Sequence, residues 1–181
     1  MTTFVLRIFQ REVERQCRFA LVAVEDLNAA LASHDSDRIW YSVQGLLVAA
    51  GNISKLLWPP DSEHSKRGEE LRASLGVSDA SVLAPRTFRN HFEHFDERLE
   101  AWASSSKRHN FVDSSVITKG AISGIDPEDY LRNLDPADMA LTFRGDRYLL
   151  QPIADEIGPL WQRANTEARK PATRDATAPK A

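Results

Sequence analysis

A single cysteine, Cys17, stands among 181 residues. That excludes an internal disulfide framework and any cysteine-based zinc ribbon, and it fits a reducing compartment. A surplus of either charge is also missing: 23 Lys and Arg against 26 Asp and Glu leave a formal charge of −3. The chain is therefore not a bulk polycation that coats nucleic acid, and any RNA contact must be local. Apolar blocks such as Leu46 to Ala50 fall far short of the ~20 residues that cross a bilayer. At the N-terminus, Arg7 interrupts the apolar residues before a signal-peptide core can form. A soluble, cytoplasmic protein with no membrane contact is expected. No Walker-type loop, G-x-G-x-x-G or G-x-S-x-G occurs, so nucleoside-triphosphate and serine-hydrolase chemistry have no support. With eight Gly and nine Pro, 42% hydrophobic and 27% charged residues, the chain reads as one globular domain. At this length roughly two-thirds of the unfolded surface is buried, so folding needs neither metal nor disulfide.

Helical periodicity dominates the first third. Leu6, Phe9, Val13, Cys17, Ala20, Val24, Leu27 and Leu31 recur in steps of three or four, which predicts a seven-turn amphipathic helix with Cys17 inside its apolar stripe. His34-Asp35-Ser36-Asp37 supplies short polar side chains that can cap a second helix. Its stripe, Ile39, Val43, Leu46, Ala50, Ile53 and Leu57, widened by Trp40 and Leu47, ends at Pro59-Pro60. A short turn between two long helices predicts an antiparallel pair. A short charged helix around Lys66 to Leu75 should stop at Gly76. A fourth, Arg86 to about Ala103, follows Pro85 and carries Phe88, Phe92, Phe95, Leu99 and Trp102 on one side.

From Phe111 to Ala137 no periodicity is sustained. Two β-prone runs around Arg144-Gly145-Asp146-Arg147 then predict a small hairpin near Met139–Leu150, with Arg-Gly-Asp read as a turn and not as an adhesion signal. A last helix, about Pro152 to Ala168, turns Ile153, Ile157, Leu160, Trp161 and Ala164 inward, with Gly158-Pro159 as a kink point. The expected architecture is mainly all-α: a four- to five-helix bundle with a small β-hairpin insertion. One domain should span 1–165, followed by a disordered tail at 166–181, which lacks apolar anchors.

The densest chemistry lies on the fourth helix, where Arg86, Arg89, Asn90, His91, His94 and Arg98 fall within thirteen residues. At about 100° per residue from Phe88, Arg89 lies near ~100° and His94 near ~240°, on opposite flanks of the apolar stripe. Arg89-Asn90-His91-Phe92-Glu93-His94 reads R-N-x-x-x-H and resembles the arginine, polar residue and histidine signature of the HEPN superfamily. Those proteins are all-α bundles, many of them metal-independent ribonucleases of toxin–antitoxin, phage-defence and RNA-processing systems. The resemblance covers the motif and the helical order of roughly residues 4 to 103. It implies Arg89 as phosphate stabiliser, His94 as general acid or base and Asn90 as positioning residue, with RNA as partner and a 2′,3′-cyclic phosphate as product. Histidine suits proton transfer near neutral pH, and the guanidinium fork suits a phosphate. Arg86, Lys107 and Arg108 are the candidate substrate-binding cations.

One catalytic histidine per chain, diverging from its arginine, favours pairing two motif helices at a shared cleft. The expectation is a homodimer through the Arg86–Ala103 helix, the arrangement that HEPN ribonucleases resemble. An antitoxin or nucleotidyltransferase partner fits the resemblance, but no residue identifies it. No cofactor and no metal are expected. His91 and His94, with Asp96 and His109, do not match the i, i+4 spacing usual for zinc on helices.

Each residue also has a plainer reading. Arg89 can pair with Glu93 or Asp96 as a solvated ion pair, His94 can be an ordinary surface histidine, and His91 sits at the core margin. Residues 86 to 109 hold five Lys or Arg against four acids, a net of only +1. Asn52, Glu25 and Asp26 are candidates for contacts to the motif helix. The alternative is a non-catalytic helical interaction module with a degenerate motif.

Overall fold

The fold rests on a helical hairpin. In a computed structural model, which describes residues 1–85, 94–105, 110–118, 121, 123–126 and 129–171, α1 (Thr3–Ser33) starts where the Thr2 hydroxyl accepts from the Val5 N–H. It ends at His34, whose φ of 56° turns the chain back. The Asp35 carboxylate then accepts from the Arg38 N–H at 3.1 Å and caps α2 (Ser36–Leu57). The helices run antiparallel: Ala23 of α1 lies against Gly45 of α2, while Gln16, two turns earlier on α1, accepts from Asn52, two turns later on α2. Val13, Cys17, Ala20 and Leu27 meet Ile39, Val43, Leu46, Ala50 and Ile53 in the main core. Both predicted stripes are buried here, with Leu6, Phe9, Val24 and Leu31 packed at its margin.

Two further helices close this core. α3 (Ser65–Leu75) supplies Leu71 and Leu75 and stops at Gly76, whose φ of 60° is the left-handed cap that the sequence predicts. Its Gly68 passes so close to the end of α2 that an added Cβ would stand 2.7 Å from the Leu57 carbonyl oxygen. The last helix, here α5 (Leu150–Ala168), buries Ile153, Ile157, Leu160 and Ala164 against α1. It starts two residues before the expected Pro152 and runs through Pro159. It also passes the expected domain boundary at 165: Ala168 is buried, and Arg7 of α1 donates to the Lys170 carbonyl at 3.2 Å.

The motif helix departs from the expected bundle. Its described part, α4 (Phe95–Ser105), buries Trp102 in a second, smaller cluster with Leu131 and Phe143, not in the core shared by the other four helices. Leu99, expected on the apolar stripe, is exposed, because this side of the helix rests on a few aromatic contacts and not on a continuous seam. Residues 86–93, the first half of the predicted helix, lie outside the described residues.

The hairpin is real but is half of a larger sheet. β1 (Ser115–Val116), β2 (Arg132–Asp135), β3 (Ala140–Phe143) and β4 (Asp146–Leu149) lie in the order β1-β2-β3-β4, with β1 parallel to β2 and the rest antiparallel. Phe143 pairs with Asp146, so Arg144 and Gly145 alone make the turn, both at positive φ as a two-residue hairpin requires. The region read as aperiodic thus holds two strands, of two and four residues, too short to show alternation. Leu134 and Leu141 join the main core, Phe143 joins the second cluster, and Tyr148 packs on both. The architecture is mainly helical, with five helices and one small mixed sheet among the described residues. No described helix is long and apolar enough to cross a membrane.

Candidate functional site

His94 stands at the turn that opens α4, half exposed, with its carbonyl accepting from the Arg98 N–H at 3.1 Å. Its Nδ1 is 3.4 Å from a Glu97 carboxylate oxygen. An i, i+3 pair of this kind holds the ring by one nitrogen, and Nε2 is then the nitrogen on the opposite edge from the carboxylate. Asp96 and Glu97 occupy the first turn of α4, where acidic side chains favour the helix dipole. Arg89 and Asn90, Arg86, Lys107 and Arg108, together with His91 and His109, lie outside the described residues. Among the candidate site residues, His94 is therefore the one whose surroundings are on view. Among the described residues, no three His, Cys, Asp or Glu side chains gather as a metal-holding group.

What fixes the His94 end of α4 is Phe95 and, behind it, Arg132 of β2. The Arg132 guanidinium lies over the Phe95 ring, 4.7 Å from its centroid, and over that of Trp40, on α2, at 5.5 Å. It also grips Asp113 through two nitrogens, at 2.8 and 2.5 Å, and donates to the Ser114 hydroxyl at 3.1 Å. Trp40 is itself fixed, its indole N–H donating to the Ser114 carbonyl at 2.6 Å. One arginine thus joins the helical hairpin, the sheet and the start of the motif helix. Burial pushes the Asp113 carboxyl up, but the hydrogen bonds and charge of Arg132, with help from Ser114, outweigh it and hold the group below its ordinary value. At the far end of α4, the Trp102 indole donates to the Asp129 carbonyl at 3.1 Å, and its ring meets Phe111 edge-on at 5.0 Å.

Sequence reasoning missed this arginine. Arg132 sits in Leu-Arg-Asn-Leu and Asp113 in Val-Asp-Ser, neither of which carries a motif, and their meeting depends on the parallel pairing of β1 with β2. The expected helpers of the motif helix have these described surroundings. Asn52 donates to Gln16 at 3.2 Å, and Gln16 in turn donates to Glu12, so Asn52 serves the α1/α2 seam. Glu25 and Asp26 are exposed on α1. The described α4 packs on the sheet, through Phe95 and Trp102 against Phe143 and Leu131, and not on that seam. A cavity of about 300 Å³, walled by Ala50, Leu83, Tyr148 and Ile153, opens beside Pro85, the last described residue before the motif segment.

No protein-family model, curated protein or solved structure matches the chain.

Proposed function

We propose that the protein is a metal-independent endoribonuclease of HEPN type, a toxin or defence effector that cleaves RNA to a 2′,3′-cyclic phosphate. The observation that carries the reading is the R-N-x-x-x-H sequence at Arg89, Asn90 and His94, together with a histidine that is open to solvent at its end of the motif. In the proposed reaction the 2′-hydroxyl attacks the adjacent phosphorus and the bond to the 5′-oxygen breaks. His94 transfers a proton through Nε2, as base toward the 2′-hydroxyl or as acid toward the leaving oxygen. Arg89 stabilises the charge that builds on the phosphate oxygens, and Asn90 positions the phosphate. Arg86, Lys107 and Arg108 hold the flanking backbone.

The complementary proton transfer requires a second histidine, which pairing of two chains through the motif helix supplies. Pairing also doubles the local cations, which matters for a chain of net charge −3. The cytoplasm is the compartment where such an enzyme meets its substrate, and an antitoxin or nucleotidyltransferase would be its regulatory partner.

The test is to incubate wild type, Arg89→Ala and His94→Ala with total tRNA and mRNA in EDTA and to analyse the new 3′ ends. Wild type should leave cyclic-phosphate ends, and each variant should lose about 10²-fold or more in rate. Equal cleavage by all three proteins would remove the motif from the chemistry. No cleavage by wild type across both RNA pools would favour a non-catalytic interaction module.

A further inference from the structure

Among the described residues no element covers the outer face of the α1/α2 hairpin, and its composition is unusual for a solvated surface. Phe19 and Val22 of α1 are 53% and 54% exposed, and Tyr41 and Val48 of α2 are 78% and 52% exposed. They border a groove of about 770 Å³ floored by the small residues Ala23, Gly45 and Ala49. Large apolar side chains grouped around a shallow groove mark a contact surface, where single exposed ones would not.

The order of residues along α1 says what fits there. Arg15, Phe19, Val22 and Asp26 fall at i, i+4, i+7 and i+11. At about 100° per residue they lie within roughly 60° of one another, on one stripe. Read from either end the stripe runs charge, apolar, apolar, charge, with the two charges opposite in sign. A two-fold axis across α1, midway between Phe19 and Val22, therefore sets Phe19 against the partner's Val22 twice and Arg15 against the partner's Asp26 twice. A parallel arrangement would oppose like charges at both ends. Arg15 is 62% exposed and, among the described residues, reaches its neighbour Glu12 at 3.1 Å.

We propose that this face binds a second copy of the chain, with the two α1 helices antiparallel across the Phe19–Val22 stripe and the ion pairs between Arg15 and the partner's Asp26 fixing the register. The surface is separate from α4, so this interface stands or falls independently of the proposed ribonuclease and of any pairing through the motif helix. Self-complementarity selects a second copy over a different protein, because the same stripe supplies both halves of every contact.

Sedimentation equilibrium of the full chain tests it. Wild type at tens of micromolar should exceed the mass of one chain, and Val22→Glu should halve that mass without changing the far-UV circular dichroism. Arg15→Asp and Asp26→Arg should each weaken association about tenfold, and the double variant, which restores opposite charges, should recover most of it. Arg89→Ala and His94→Ala should leave the mass unchanged, which separates this interface from the proposed active site. A single-chain mass for wild type, an undiminished mass in Val22→Glu, or a double variant no better than either single one would overturn the proposal.

Discussion

The helical hairpin and the motif end of the molecule are held together in different ways. Between α1 and α2 the contact is a long apolar seam, from Val13 to Leu27 on one helix and from Ile39 to Leu57 on the other, in which no single residue is decisive. At the motif end a short helix meets a four-stranded sheet through Phe95 and Trp102, and one guanidinium, clasped by Asp113, lies over two aromatic rings. The first arrangement spreads its stabilisation over many dispersion contacts. The second concentrates it in charge-assisted hydrogen bonds with fixed geometry.

Truncation inside the seam should have the largest effect. Leu46→Ala removes a side chain that is 1% exposed and leaves a cavity. A loss of about 3 kcal/mol is expected in urea unfolding, with hydrogen exchange accelerated across α1, α2 and α5 together. If only α2 were to loosen, the helices would not form one cooperative unit.

Removing the guanidinium should act locally. Arg132→Ala leaves Asp113 partly buried without its cation, and a loss of about 2 kcal/mol is expected. Exchange should rise in β1, β2 and α4 while α1 and α2 stay protected; equal acceleration everywhere would erase the contrast between the two regions. The same pair gives the wild type a pH dependence. Because the folded Asp113 sits below its ordinary value of 3.8, its contribution is complete above that value and is lost as pH falls through the lower folded value. Acid should therefore open the motif end first, and the acid sensitivity should be weaker in Asp113→Asn.

The smallest effect is expected at the hairpin. Arg144 has φ of 45°, a region costly for a side-chain-bearing residue. Arg144→Gly should raise stability by a few tenths to about 1 kcal/mol, with exchange slowed only in β3 and β4. A destabilised variant would mean that the arginine side chain makes contacts that offset its backbone strain.

The same contrast explains what could be read from residue order. Long helices announce themselves because three- and four-residue steps repeat over many turns, and their limits follow from Asp35, Gly76 and Pro59. Even there Gln10 escaped notice: it is wholly buried on α1, donating to Ser74 of α3 at 3.0 Å and accepting from Arg7 at 2.5 Å. A glutamine inside an apolar stripe looks like a surface residue until its partners are known. β1 and β2 could not be read because neither is longer than two alternations and their pairing joins residues 18 apart, Ser115 with Asn133. At the site, the motif points to His94 by its spacing. Its support by Phe95 and Arg132 depends on a tertiary meeting that no local pattern encodes.

The buried cysteine has a practical consequence. Cys17 lies wholly inside the hairpin seam, and burial, with the Glu14 charge adding to it and Arg163 opposing it, pushes its thiol up to about 12. A thiol reagent can reach it only when the seam parts, and no other cysteine competes for the label. The rate at which Cys17 is modified is thus a clock for the opening of the hairpin, built into the native sequence.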